Sequence, residues 1–349
     1  MKAYAYLEKG KAGFIDVPAP NCGELDAIIR PLYLSPCTSD IHNVEDGRLA
    51  PNRVLGHEGV GEIVEVGAWV KDFKVGDRVI IPAITPKWHT PEAQRGFHQH
   101  YRGPLSGFRL AGSLDGLFSE LAMVPDADAN LAHLPPGIDP AGAVMISDMM
   151  TTGFYGAELA EVGYGDTVVV IGIGPVGLMS VAGAKLRGAG RILGIGTRPV
   201  CVEVAKLYGA TDIISYKNGS ISAQVLELTG KKGADRVIIA GGDDNSLKEA
   251  ITMVKPGGNI GNVGYLTTRG DIPFPNDQWG FGMANKTIKG GLCPGGRYRM
   301  EQLTAMVEYG RVDPTPLITH SYKGFDQLDK AFHIMEEKPA DLIKAVVEL

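Results

Sequence analysis

A short apolar run followed at once by three closely spaced glycines limits the folds open to this chain. Residues Thr167–Ile171 read Thr-Val-Val-Val-Ile, and the next six, Gly172–Gly177, read Gly-Ile-Gly-Pro-Val-Gly. The β-branched run predicts a buried strand, and the glycines predict a tight turn that opens a helix. The uncharged stretch from Thr167 to Ala184 reaches the lower limit of a membrane span, but its glycines and Pro175 interrupt it. We therefore predict a strand, a turn and a helix rather than a membrane segment.

Predicted strands and helices alternate from this motif onwards. Further strands are predicted at Arg191–Ile195, Asp212–Ser215, Asp235–Ile239 and Asn259–Val263. Helices are predicted at Val176–Arg187, Val200–Tyr208, Ile221–Leu228 and Ser246–Val254, the last ended by Pro256-Gly257-Gly258. This alternation is typical of βαβ units, whose right-handed crossovers build a doubly wound parallel sheet. The fold class is therefore α/β.

The chain on either side of this region does not show the regular alternation of strands and helices. Before it, strands are predicted at Ala27–Leu34, Val60–Val66 and Arg78–Pro82, and residues 85–115 form a long irregular lobe. After about Pro294, helices are predicted at Met300–Tyr309 and Phe325–Glu336 and a last strand at Leu342–Val347. A chain of 349 residues suggests roughly two domains. We predict one domain from 1–151 with 294–349, and a second from 152–293.

Charge and cysteine content exclude several functional classes. Forty acidic against 34 basic residues give a net charge of −6, which counts against a nucleic-acid partner. Four cysteines without a C-x-x-C pair are too sparse for a disulfide scaffold and favour a reducing compartment. The first ten residues lack the apolar segment of a secretory signal. We expect a cytoplasmic protein with neither a membrane nor a nucleic-acid partner.

The glycine motif has the context of a dinucleotide site. Gly172 would allow the tight turn, Gly174 would let the backbone approach a pyrophosphate, and Gly177 would let the helix pack on the strand. The helix N-terminus then offers free N–H groups and partial positive charge to the phosphates. A plain packing turn is the alternative interpretation.

The end of the second strand of this unit favours NADP(H) over NAD(H). An NAD site places Asp or Glu about 20 residues after the glycine motif, but residues 194–196 contain no carboxylate. Gly196 leaves room there, Thr197 supplies a hydroxyl, and Arg198 supplies a planar guanidinium suited to a phosphate. Tyr216 follows the third strand and could contact the adenosine end. The alternatives are a solvated Arg198 and an ordinary packing role for Tyr216.

Three residues of zinc-ligand type stand far apart in the sequence. Cys37 precedes a Thr-Ser-Asp-Ile-His run, His57 is followed by Glu58, and Asp148 comes shortly before the first βαβ unit. A thiolate, an imidazole and a carboxylate with one open position make a catalytic zinc arrangement. Spacing alone does not bring them together, because a lone Cys is usually a small buried residue and a lone His usually a satisfied polar one.

Taken together, the motifs resemble the medium-chain, zinc-dependent alcohol dehydrogenase family over essentially the whole chain. The segments that carry the resemblance are Cys37–His42, Gly56–Gly61, Val75–Val79, Gly172–Gly177 and Gly209–Asp212. Three more are similar to the microbial NADP-dependent secondary alcohol dehydrogenases of that family, namely Pro82–Pro86, Ser147–Gly153 and Gly290–Arg297. The resemblance implies a GroES-like, β-rich catalytic domain and a Rossmann cofactor domain.

By this resemblance, Cys37, His57 and Asp148 match the ligands of one catalytic zinc ion per chain, with Glu58 as an exchangeable fourth. Ser39 and His42 match a proton relay from the substrate oxygen to solvent. The family's cofactor contacts match Gly172, Gly174, Pro175, Val176, Gly177, Gly196, Thr197, Arg198, Tyr216, Val263 and Tyr265. Its substrate pocket matches Ala83, Ile84, Phe108, Leu292 and Cys293. Close relatives carry Trp where Phe108 stands, which predicts a somewhat larger pocket.

A structural zinc held by cysteines, common in this family near residues 90–115, is excluded because no cysteine lies between Cys37 and Cys201. The histidines of that lobe, His89, His98 and His100, are interpreted as polar loop or subunit contacts. The resemblance implies interconversion of small secondary alcohols and ketones, and some aldehydes, with NADP(H), by a homotetramer. The alternatives are a zinc polyol or formaldehyde dehydrogenase, a metal-free quinone oxidoreductase-like enzyme, and a non-catalytic nucleotide-binding protein.

Overall fold

The computed structural model describes residues 1–266 and 271–349, which divide into two compact units. The first is Met1–Thr151 with Pro294–Leu349, and the second is Thr152–Cys293. No helix of the described residues is both long and apolar enough to cross a membrane.

Strands and helices are numbered here in chain order over the described residues. The strands are β1 (Lys2–Glu8), β2 (Lys11–Asp16), β3 (Ala27–Leu34), β4 (Gly59–Val66), β5 (Arg78–Ile81), β6 (Ala122–Val124), β7 (Ala132–His133), β8 (Thr167–Ile171), β9 (Arg191–Ile195), β10 (Asp212–Ile214), β11 (Ala234–Ile239), β12 (Val254–Asn262), β13 (Thr287–Gly290), β14 (Ile318–Lys323) and β15 (Lys344–Glu348). The helices are α1 (Thr38–Asp46), α2 (Pro91–Gln94), α3 (Ala127–Asn130), α4 (Pro140–Met145), α5 (Thr151–Leu159), α6 (Pro175–Leu186), α7 (Pro199–Tyr208), α8 (Ile221–Leu228), α9 (Ser246–Met253), α10 (Arg297–Glu308) and α11 (Leu328–Glu337).

The first unit is built on a seven-stranded sheet with the order β14-β15-β3-β4-β5-β7, in which β6 also pairs with β3. Strands β1 and β2 form a separate antiparallel hairpin. The end of β3 pairs with the start of β4, because Leu34 faces Gly59, and with β15, because Leu34 also faces Val347. Segments distant in sequence therefore meet at one edge of this sheet: Cys37 just after β3, His57 and Glu58 just before β4, and the first residues of β15.

The second unit is a six-stranded parallel sheet with the order β10-β9-β8-β11-β12-β13. Its core is formed by apolar residues of the strands together with those of α8 and α9. Counted within the unit, the order is 3-2-1-4-5-6, which is the doubly wound dinucleotide-binding order. The order reverses between β8 and β11, and ligands of such sheets bind at the carboxyl ends of the strands on either side of that point.

Most predicted elements are confirmed, including the strands β3, β8 and β9 and the largely irregular lobe at 85–115. Other boundaries shift by up to three residues, as in helix α10, which begins at Arg297 and not at Met300. One boundary was wrong by more than this. Helix α9 ends at Met253 and strand β12 begins at Val254, so Pro256-Gly257-Gly258 lies inside the strand. The register explains this, because Ala234 faces Val254 while Arg236 faces Asn259, and the residues between form a bulge. Gly257 takes a positive φ of 75° within it.

The start of helix α6 packs against the preceding turn so closely that only glycine fits. A Cβ at Gly177 would lie 1.8 Å from the carbonyl oxygen of Gly172, which is backbone and cannot rotate away. We predict that Gly177→Ala lowers the free energy of unfolding of the second unit by about 1–3 kcal/mol. Differential scanning calorimetry measures this loss. The control is Gly163→Ala, whose Cβ would meet Asp166 at an ordinary 3.7 Å. Equal stability of the two variants would contradict this packing.

Candidate metal centre and cofactor site

Cys37 stands at the N-terminus of helix α1, shortly after the end of strand β3. It is the N-cap residue, with an extended backbone (φ −118°), and its N–H donates to Asp40 Oδ2 over 3.1 Å. Asp40 in turn occupies the third position of the helix and is fully buried. The helix thus fixes the direction of the Cys37 side chain and brings the Asp40 carboxylate into the interior.

His57 is held rigidly by its neighbours. The preceding Gly56 has a positive φ of 87°, and a Cβ there would lie 2.1 Å from the Phe118 ring, so this position requires glycine. His57 is fully buried, and its Nδ1 lies 3.2 Å from Asp40 Oδ1, which also accepts a bond from the Gly56 N–H. A carboxylate at Nδ1 fixes the ring and turns Nε2 towards the other candidate ligands.

Asp148 lies on a π-helical turn, Ile146–Met150, that follows helix α4 directly. Single π turns inside helices occur frequently at functional sites because they redirect a side chain. Asp148 Oδ2 lies 3.4 Å from His57 Nε2 and 3.9 Å from Cys37 Sγ. The three predicted ligands therefore converge, although they come from three separate segments.

Glu58 completes the group, but it has a second partner. Its Oε1 lies 4.0 Å from His57 Nε2 and 2.9 Å from the ammonium of Lys344, and both Glu58 and Lys344 are fully buried. Its other oxygen, Oε2, is buried without a hydrogen-bond partner. One ligand atom from each of Cys37, His57, Glu58 and Asp148 lies within 4.8 Å of the others.

The electrostatics of this cluster favour a cation. Burial raises the pKa of the Cys37 thiol, and burial raises the pKa of Glu58 to about 7 although Lys344 opposes it. Burial would lower the pKa of His57, but the Asp40 and Asp148 carboxylates outweigh it and hold that pKa well above its ordinary value. Without a metal, protons must supply the positive charge that these groups need, and a metal cation would displace them.

These residues fit a zinc ion. Bonds of about 2.0–2.3 Å in a tetrahedral zinc site place the ligand atoms roughly 3.3–3.8 Å apart. The 3.4 Å and 3.9 Å separations come close to this range, and the unpartnered Glu58 Oε2 is a polar atom that still needs a partner. Three ligands with a fourth held in reserve leave a position for substrate, which is the catalytic rather than the structural arrangement.

The predicted relay residues lie on helix α1. Ser39 Oγ is 3.3 Å from His57 Nε2, so the hydroxyl stands at the ligand cluster. His42 is three residues further along, on the same face of the helix, and is partly exposed. The structure thus brings Ser39 to the metal site and places His42 one turn closer to solvent.

The predicted pocket residues belong to both units and are described separately. In the first unit, Ala83 and Ile84 are buried, and the Phe108 ring meets the His57 ring edge-on at 4.8 Å. Leu292 is partly buried and Cys293 buried in the second unit. Phe108 therefore supplies an apolar wall directly beside a candidate ligand.

Two of the three histidines of the 85–115 lobe, His98 and His100, take part in packing and loop contacts. His98 stacks on Trp88 with ring centroids 4.7 Å apart, and its Nε2 accepts a bond from the Gly295 N–H. His100 Nδ1 accepts a bond from the Leu105 N–H. Among the described residues, neither joins a group of potential metal ligands.

A cavity of 660 Å³ lies at the carboxyl ends of β8 and β9 in the second unit. Gly172 takes a positive φ of 84°, as the predicted tight turn requires, and Gly174 is the N-cap of helix α6. Helix α6 thus begins directly after the glycine loop that lines the cavity, and a helix N-terminus beside such a loop is the arrangement that binds a pyrophosphate. The predicted residues that line the cavity are Gly172, Gly174, Gly196, Thr197, Arg198 and Tyr216.

The carboxyl end of β9 has no space for the acidic residue of an NAD site. A Cβ at Gly196 would meet the Ile173 side chain at 2.3 Å. Arg198 is the N-cap of helix α7, and its guanidinium reaches to 3.8 Å from where a Cβ of Gly174 would stand. Thr197 Oγ1 donates to the Tyr216 hydroxyl over 2.8 Å. A cation and two hydroxyls therefore line the cavity near the carboxyl end of β9.

Five other predicted cofactor contacts do not line this cavity in the described part of the chain. Pro175, Val176 and Gly177 form the first turn of α6 behind the glycine loop, and Val263 and Tyr265 follow the end of β12.

The sequence interpretation also missed two residues of the metal site. Asp40 had a local signal, because it is the third residue of a helix capped by Cys37, whereas Lys344 had none.

Two family models match the chain. One, described as zinc-binding dehydrogenase, covers residues 175–308, and the other, described as alcohol dehydrogenase GroES-like domain, covers residues 23–136. The chain is 58% identical to the NADP-dependent isopropanol dehydrogenases of Thermoanaerobacter brockii and Clostridium beijerinckii, each over 351 residues and the full length of both chains.

A solved structure has the same fold over the whole chain. The alcohol dehydrogenase from Thermus sp. ATN1 superposes with a TM-score of 0.88 at 28% identity, covering 100% of this chain and 99% of that one. The resemblance stated from the motifs is therefore confirmed, and so is the fold class.

The bond from His57 to Asp40 generates a prediction about zinc affinity. Asp40→Asn removes the carboxylate that fixes the ring, so we expect zinc to bind about 10–100-fold more weakly. Competition with a fluorescent zinc chelator measures the dissociation constant. Asp46→Asn is the matched control, because Asp46 stands on the same helix α1 and pairs with Arg48 at the surface. If both variants kept wild-type affinity, the supporting role of Asp40 would be refuted.

Proposed function

Because the chain belongs to the medium-chain, zinc-dependent alcohol dehydrogenase family, we propose that it interconverts small secondary alcohols and ketones with NADP(H). We propose that the enzyme also accepts some aldehydes. The observation that carries it is the convergence of Cys37, His57 and Asp148 on one point, with Glu58 beside them. Full-length identity of 58% to enzymes named NADP-dependent isopropanol dehydrogenases supports the substrate class.

In this proposal, Cys37, His57 and Asp148 hold one zinc ion per chain. When bound, zinc supplies a Lewis acid that polarises the substrate oxygen and makes a bound alcohol more acidic. Asp40 keeps the His57 ring oriented through Nδ1. The chain's own contribution is to fix these groups in a dry interior before the substrate arrives, so that little reorganisation is needed during the reaction.

Ser39 and His42 would move the proton. Ser39 Oγ stands 3.3 Å from His57 Nε2, within reach of a substrate oxygen at the cluster. It would accept the alcohol proton and pass one on to the His42 ring, which is partly exposed and can exchange with solvent. An imidazole is suited to this step, because its ordinary pKa lies near neutral pH.

The cofactor would be held by backbone groups and by one cation. The N–H groups at the start of α6 would bind the pyrophosphate, and Arg198, Thr197 and Tyr216 would bind the 2′-phosphate of NADP. When bound, the nicotinamide supplies the hydride acceptor or donor. Ala83, Ile84 and the Phe108 ring would form an apolar wall for small uncharged substrates. A pocket enlarged by Phe in place of Trp stays a prediction.

The oligomeric state and the location are two further proposals. A homotetramer is expected from the family resemblance, and exposed apolar side chains, Phe274, Phe281 and Met283, are consistent with a covered surface. We also propose a cytoplasmic location, because four cysteines without a C-x-x-C pair favour a reducing compartment.

The proposal is tested by the initial rate of cofactor reduction with 2-propanol, with NADP and NAD supplied in parallel to zinc-loaded protein. We expect turnover with a strong preference for NADP. Absence of turnover with either cofactor would contradict the substrate class.

In the variant Arg198→Ala, kcat/KM for NADP should fall about 10–100-fold, because a charge-assisted hydrogen bond is lost, while kcat/KM for NAD changes little. Equal losses for both cofactors would refute the phosphate role of Arg198.

A further inference from the structure

Lys344 is a charged side chain in an unusual position. It is fully buried, although lysine is almost never fully buried unless it is paired. It begins strand β15, close to the C-terminus, at the sheet edge where β3 ends and β4 begins. Its backbone carbonyl accepts a bond from Thr319 Oγ1, and Ala345 O accepts one from Ser35 Oγ. These hydrogen bonds fix the backbone from which the Lys344 side chain extends.

The ammonium makes two contacts, and both lead to the metal site. It donates to Glu58 Oε1 over 2.9 Å and to the carbonyl oxygen of Pro36, the residue before Cys37, over 2.7 Å. One side chain therefore joins the exchangeable ligand to the segment that carries the thiol. Only one oxygen of Glu58 is engaged, since Oε2 has no hydrogen-bond partner.

The charges around the site explain why a cation is needed at this position. A zinc ion bound by a thiolate, a carboxylate and a neutral imidazole is electrically neutral. Glu58 adds one negative charge in a region without solvent, and an unpaired buried charge is strongly unfavourable. Lys344 neutralises that charge without occupying the metal. Without Lys344, the cation nearest to Glu58 would be the metal itself.

We propose that Lys344 is a positioning residue that holds Glu58 off the metal by Oε1 and so keeps the fourth zinc position open for substrate. This inference rests on the proposed function. It differs from a general stabilising role, because it acts through Glu58 alone. Loss of the ammonium would let Glu58 bind zinc permanently, and zinc would be retained more tightly while the substrate position closed.

The test measures the rate of zinc release to excess chelator in full-length, zinc-loaded protein. Lys344→Met should release zinc about 10–100-fold more slowly than wild type, because Glu58 becomes an additional ligand; the size is that by which outer partners usually change metal affinity, with the opposite sign. In the Glu58→Gln background, the same substitution should change the rate by less than about threefold. Lys344→Arg keeps the charge and should stay within about threefold of wild type. Lys323→Met is the matched control, because it removes a surface pair with Glu348 in the same sheet.

A second readout is the visible spectrum of the cobalt(II)-substituted protein. Azide should alter the wild-type spectrum by entering the open position, and should leave the Lys344→Met spectrum unchanged. If Lys344→Met does not fold, Lys344→Leu replaces it, since leucine likewise removes both the charge and the donor to Oε1. The same outcomes are required of that variant.

Unchanged or faster zinc release in Lys344→Met, or an equal effect with and without Glu58, would overturn this inference. Zinc content and 2-propanol turnover are measured on the same wild-type samples. Zinc-free or inactive wild-type protein would overturn the proposed function, and this inference with it. Zinc-loaded, active wild type whose release rate is insensitive to Lys344→Met would overturn the inference alone.

Discussion

Charged side chains buried beside the end of β3 and the start of β4 are the main constraint on the structure of the first unit. Asp40, Glu58 and Asp148 converge with a thiol and one imidazole where water is largely excluded, and such an arrangement is stable only if cations neutralise it. Lys344 supplies one positive charge. The remainder must come from protons or from a metal ion. The return of residues 294–349 to the first unit therefore has a chemical as well as a structural consequence, because β15 brings that lysine to the site.

In the second unit, the proposed ligand is a large anion, and the groups that would bind it belong mostly to the backbone. Gly172 makes the turn, Gly177 lets helix α6 start close to it, and the helix N-terminus supplies the N–H groups. In the proposed function, side chains at the end of β9 select between the two dinucleotides. At the end of β9, no carboxylate can stand at Gly196, because a Cβ there would meet the Ile173 side chain. This absence and the nearby guanidinium of Arg198 both favour a phosphate over a ribose hydroxyl.

Sequence patterns predicted what is local and periodic. The strand at Thr167–Ile171 and the helix after it were readable because hydrophobic period and glycine spacing are properties of adjacent residues. The convergence of Cys37, His57 and Asp148 was not, since it depends on the register of β3 against β4 and on a π turn; only family resemblance predicted it. Lys344 lies 286 residues after Glu58, and nothing in its neighbourhood marks it as buried. The bulge in β12 was missed because Pro-Gly-Gly normally ends an element.

Zinc K-edge X-ray absorption of the purified wild-type protein tests the central claim most directly, because it reports the identity of the ligand atoms. The account predicts a zinc shell with a single sulfur at about 2.3 Å and nitrogen or oxygen ligands at about 2.0–2.1 Å. A zinc shell with no sulfur, or with more than one, would contradict the assignment of Cys37, His57 and Asp148 as the ligand set.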